Sequence, residues 1–62
     1  MQLTITIDMD NAAFDGSPDL EVEYILTAMM MPDNFPASPE PGDGGTLRDS
    51  NGNTVGEWNI HE

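Results

Sequence analysis

Leu3, Ile5, Ile7 and Met9 alternate with Thr4, Thr6, Asp8 and Asp10 at the start of the chain. Strict alternation of apolar and polar residues predicts a half-buried strand, with β-branched residues on both faces. Asn11 to Gly16 breaks the alternation and reads as a connection. Ala12, Ala13 and Phe14 are too apolar for a fully exposed loop, so Phe14 is expected to fold back over the core. The spacing then changes to 3.6 residues. Val22, Ile25, Leu26 and Met29 follow the i, i+3, i+4, i+7 pattern of a buried helix face. Leu20 and Ala28 border that face, and Asp19, Glu23 and Thr27 lie opposite. Ser17 is a suitable N-cap, and Pro18 fits the first helical position because its missing N–H would be unpaired there anyway. Pro32 and the two methionines before it mark the end. Met30 and Met31 cannot both face inward.

The last apolar pattern lies in Thr46 to Ile60, around Asn51-Gly52. Asn-Gly favours a two-residue type I′ turn, because both central residues tolerate positive φ. That turn pairs Asp49 with Thr54, Arg48 with Val55 and Leu47 with Gly56. Leu47, Trp58 and Ile60 then share the core face, and Arg48, Val55, Glu57 and Asn59 the other. The competing register is a three-residue loop with Gly52 in the left-handed region, which sets Leu47 opposite Val55. Trp58 is the only Trp and the largest single piece of core.

Between helix and hairpin, residues 32–45 hold four of the five prolines and three of the six glycines, which argues against regular structure. Phe35 is the residue there that can pin the segment to the body. The order is strand, helix, hairpin. It predicts a small α+β fold, βαββ, with one helix on a three-stranded antiparallel sheet. The most apolar strand, the last, belongs in the middle, giving the order second, third, first. A parallel first-to-second pairing through a right-handed crossover is the alternative.

At 62 residues the chain is one domain, residues 1–62, with little capacity to bury a core. It has no Cys, so neither disulfides nor a Cys/His zinc cluster can support it. The first ten residues lack a basic stretch and a long apolar run, which predicts neither a signal peptide nor a membrane span.

Candidate chemistry is sparse. His61, the only His, sits near the chain end, where a base is rarely held by a partner. Ser17, Ser38 and Ser50 have no base beside them. The absence of an acid–base or nucleophile constellation predicts a protein that is not an enzyme. Asp49-Ser50-Asn51-Gly52-Asn53 begins like a calcium loop, but its sixth position is Thr54 and its twelfth Ile60, where Gly and Glu are needed. Asp8-Met9-Asp10 fails similarly at Ala12. No metal or cofactor is expected.

Charge changes the picture most. Twelve Asp and Glu residues face one Arg and no Lys, for a formal net charge of −11. Such a chain repels nucleic acid and anionic membranes, and an electrostatically steered partner must be basic. The bland reading of this surface is solubility. The sharper one is imitation of the phosphate backbone of DNA. Asp8, Asp10, Asp15, Asp19, Glu21 and Glu23 fall within sixteen positions of each other. Neighbouring carboxylates on one face of a strand or helix repeat at roughly 6–7 Å, similar to phosphates along a DNA strand. Glu57 extends this arc if the two-residue turn forms.

LTITIDMDNAAF and LRDSNGNTVGEWNI, residues 3–14 and 47–60, resemble a group of very short phage- and prophage-encoded proteins. In these a D-x-x-N-A-A-F-like stretch, an acidic helix and a D-x-N-G-N-x-V-G-x-W hairpin recur. The resemblance implies a mobile-element origin and a place in the host bacterial cytoplasm. Small acidic proteins of that origin include inhibitors of host defence, among them anti-CRISPR proteins and restriction inhibitors, several of which are DNA mimics. The partner so implied is a basic DNA-binding protein or complex of the host, a CRISPR effector first, met by Asp8, Asp10, Asp15, Asp19, Glu21, Glu23 and Glu57. A different class of function is a small adaptor that binds through a sheet edge or the Met30/Met31 patch.

Overall fold

The computed structural model describes residues 1–31 and 33–62. Three strands form one antiparallel sheet, β1 (Gln2–Ile7), β2 (Gly44–Arg48) and β3 (Thr54–His61), in the order β1-β3-β2. One helix, α1 (Pro18–Met29), packs against β2, and a 3₁₀ turn over Ala12–Phe14 precedes it. This is the expected α+β βαββ arrangement, with the most apolar strand in the centre. Pairing β1 with β3 aligns Leu3 with Ile60, Ile5 with Trp58 and Ile7 with Gly56.

The core comprises Phe14, Ile25, Met29, Leu47, Val55, Trp58 and Ile60, flanked by half-buried Ile7, Ala13, Val22, Leu26 and Phe35. Phe14 closes it from the 3₁₀ turn, as its apolar setting requires. The Phe35 ring packs on Trp58 with centroids 4.7 Å apart. Gly45 gives Trp58 its seat, since a Cβ there would lie 2.6 Å from the indole Nε1. Glu40 to Asp43 form a tight turn in which the Asp43 N–H donates to the Glu40 carbonyl. Pro41 and Gly42, at φ +99°, occupy the two corners a type II turn assigns to Pro and Gly.

Several expectations are corrected. The hairpin tip is not type I′, because Asn51 does not adopt positive φ and Gly52 does, at +85°. The Asp49 carbonyl accepts from the Gly52 N–H at 3.0 Å, and the Asp49 N–H donates to the Asn53 carbonyl at 2.9 Å, which closes the three-residue loop. Arg48 therefore faces Thr54. A bulge then leaves Val55 without a partner on β2 and restores Leu47 to Gly56. An extra residue re-aims side chains, so Val55 joins the core instead of lying outside with Arg48 and Glu57.

Strand β1 is not half-buried. Leu3 and Ile5 are 43% and 39% exposed although they share the face of Ile60 and Trp58. The reason is placement: α1 packs against β2 and the 3₁₀ turn, leaving β1 largely uncovered. The Ser17 side chain makes no capping bond; its carbonyl accepts from the Glu21 N–H at 3.2 Å. Met30 and Met31 are both exposed. The helix closes instead through Asn34, whose side-chain amide donates to the Ala28 carbonyl at 2.7 Å. Pro32, expected to mark the helix end, lies outside the described residues. The segment expected to be irregular through residue 45 yields Gly44 and Gly45 to β2.

Candidate functional site

The antiparallel pairing of β1 with β3 brings the end of β1 to the hairpin tip. Asp8 follows β1 there, and its N–H donates to the Val55 carbonyl at 2.7 Å. The Asp8 Oδ1 then accepts from the Asp10 N–H at 3.0 Å, which turns the chain toward the 3₁₀ segment. Asn11 caps that segment by accepting from the Ala13 N–H at 2.9 Å. Asp15 follows it, and Asp19 stands in the first turn of α1. Asp8, Asp10, Asp15 and Asp19 thus lie along the chain from the end of β1 to the start of α1 and are all exposed, with exposed Glu23 one helical turn beyond Asp19.

Two buried carboxylates hold this end together. Asp49 is 2% exposed. Its Oδ1 accepts from the N–H groups of Asn51 and Asn53, both at 2.9 Å, and its Oδ2 from the Asn11 side-chain amide at 2.8 Å. Burial by itself pushes the Asp49 carboxyl up, but the hydrogen bonds from Asn53, Asn11 and Asn51 outweigh it and hold the group below its ordinary value. Glu21 is 9% exposed and reaches from α1 to the hairpin tip. Its two oxygens accept from the Ser50 N–H at 2.7 Å and the Ser50 hydroxyl at 2.8 Å. The strand end, the 3₁₀ turn, the helix start and the hairpin tip are tied into one unit.

The proposed contact set therefore divides. Asp8, Asp10, Asp15, Asp19 and Glu23 are presented to solvent. Glu21 is not: it sits one turn before Ile25 on the same helix line, and its oxygens are already engaged. Glu57 does not join the arc either. It lies on the sheet face turned away from α1, between Thr6 and Thr46, in alternation with buried Trp58. Asp49 escaped the sequence reading as a structural centre, since its position in the turn explained it adequately. The signal available was Asn11, an amide placed where the strand alternation breaks off.

The one cation, Arg48, folds along the tip and donates to the Gly52 carbonyl at 3.3 Å. A groove between α1 and β2, lined by Ile25, Met29, Gly45, Leu47, Arg48 and Trp58 among others, includes none of the seven proposed carboxylates. Asp8 and Asp10 border an open depression shared with Asn11, Thr54 and Val55. Among the described residues no group of three or more His, Cys, Asp or Glu is arranged to hold a metal ion. No described helix is long and apolar enough to cross a membrane. No family model matches the chain, and no curated protein or solved structure is significantly similar to it.

Proposed function

We propose that this chain is a phage-derived acidic inhibitor that occupies a basic, DNA-binding surface of a bacterial defence complex, a CRISPR effector being the first candidate. One observation carries the reading: Asp8, Asp10, Asp15 and Asp19 project from segments that Glu21 and Asp49 lock together. A mimic of phosphates needs charges held in fixed relative positions, because ordering mobile side chains on binding costs affinity. Near-uniform negative charge, costly in self-repulsion for so small a body, supports the same function. In this reading the protein acts in the host cytoplasm by contact alone and carries no cofactor.

A second reading, a small adaptor, is favoured by the adjacent exposed side chains of Met30 and Met31, 60% and 52% exposed. The two separate by salt. Contact through the acidic end weakens steeply as ionic strength rises, and contact through methionines does not. The deciding variant combines Asp8→Asn, Asp10→Asn, Asp19→Asn and Glu23→Gln. Asn at position 8 keeps the oxygen that accepts from the Asp10 N–H, so the fold is retained. Partners are captured from bacterial lysate on wild type and on the variant, at low and high salt. Capture that is lost in the variant and at high salt supports inhibition through this end; capture unaffected by both sinks it.

A further inference from the structure

Edge strand β1 carries features that the acidic end does not explain. Gln2 to Ile7 contains no charged residue in a chain with twelve acidic ones. It also lacks the proline, lysine or bulge with which edge strands are usually blunted. The Asp8 N–H points to β3, so by period 2 the groups paired with β3 belong to Gln2, Thr4 and Thr6. The N–H and C=O groups of Leu3, Ile5 and Ile7 consequently face outward along the free edge. The side chains of Leu3 and Ile5 lie beside them, uncovered by α1.

We propose that this edge pairs with a second copy of itself, β1 against β1, forming a continuous six-stranded antiparallel sheet across a two-fold axis at Ile5. The strand is self-complementary in that register. Leu3 meets Ile7 of the other copy, Ile5 meets Ile5, and Thr4 meets Thr6. Every apolar residue faces an apolar one and every Thr a Thr, the pairings that stabilise antiparallel strands. The residues brought opposite one another are those with outward backbone groups, so each such pair exchanges two hydrogen bonds. Asp8 falls opposite Gln2, and no carboxylate faces another. No carboxylate lies within Gln2 to Ile7, which limits the repulsion between two chains of net charge −11 that meet along this edge. A foreign strand would need no such symmetry, and the symmetry selects the second copy. Asp8 borders the seam, whereas Asp10, Asp15, Asp19 and Glu23 lie beyond the paired residues.

A single strand pair is a small interface, so the dimer is concentration-dependent. Sedimentation equilibrium should show the mass doubling from 6.7 kDa as protein rises from about 1 µM to about 1 mM, the range such an interface sets. Added salt should strengthen the dimer by screening like charges, the opposite of its effect on the acidic end. Ile5→Lys, which places two cations across the axis, should leave a folded monomer, whereas Leu20→Lys on exposed α1 should still dimerise. Independently of any variant, the amides of Leu3, Ile5 and Ile7 should exchange with solvent more slowly at high than at low protein concentration. A wild-type protein monomeric throughout that range overturns the proposal and leaves the edge to a foreign strand. Concentration-independent exchange of those three amides, or an undiminished dimer in Ile5→Lys, also overturns it.

Discussion

Glu21→Ala separates a structural carboxylate from a surface one. The substitution removes both acceptors that Glu21 offers Ser50. A hydrogen bond to a charged group contributes about 1.5–3 kcal/mol. The Ser50 hydroxyl is exposed and regains water, so its share is small; its N–H loses the closer partner. The expected net cost is about 2 kcal/mol. A domain of 62 residues has only about 3–9 kcal/mol in all, and for its size about 1 kcal/mol moves Tm by 4–8 °C. Glu21→Ala should therefore lower Tm by about 8–16 °C. Glu23→Ala removes the same charge from an exposed site and should stay within about 0.5 kcal/mol of wild type, which controls for relief of charge repulsion. Thermal unfolding followed by circular dichroism at neutral pH measures both. Ser50→Ala combined with Glu21→Ala closes a double-mutant cycle, and the two losses should not add. Equal melting of Glu21→Ala and Glu23→Ala would refute the link between helix and hairpin tip.

Trp58→Ala should cost about 3–5 kcal/mol and leave most of the chain unfolded at room temperature, seen as collapsed amide dispersion in NMR spectra. A dispersed spectrum would place the core elsewhere. Acid should expose the role of Asp49. Its folded-state carboxyl titrates below the unfolded one, so its stabilisation is complete above the ordinary value of 3.8 and is lost as pH falls through the lower folded value. The melting temperature of Asp49→Asn should fall less steeply with acidification than that of wild type; parallel curves would contradict this.

The fold was legible because its signals are local and agree with each other. Alternation in residues 3–9, helical spacing from Val22 to Met29 and a turn at Gly52 each specify one element. Strand order followed from Trp58 and Ile60 needing cover on both sides. The hairpin register was legible only as two alternatives, because Asp49 selects the three-residue loop by accepting hydrogen bonds from Asn51, Asn53 and distant Asn11. Local preference of Asn-Gly for type I′ gave way to that tertiary network, and the bulge at Val55 followed. Glu21 was misplaced for a related reason. Acidic residues in a first helical turn suit the dipole wherever they point, so the charge pattern concealed that Glu21 shares a line with Ile25. Exposure of Leu3 and Ile5 depends on which strands the helix covers, which periodicity does not encode.

The proposed function requires that Asp8, Asp10, Asp19 and Glu23 displace DNA from a basic partner. Its most direct test is a competition assay on the partner captured at low salt, loaded with labelled duplex DNA and titrated with wild type or the quadruple variant. Wild type should release the DNA at low salt, and the folded quadruple variant should leave the DNA bound. Release by the variant as complete as by wild type, or simultaneous binding of DNA and wild type to one partner molecule, would contradict it.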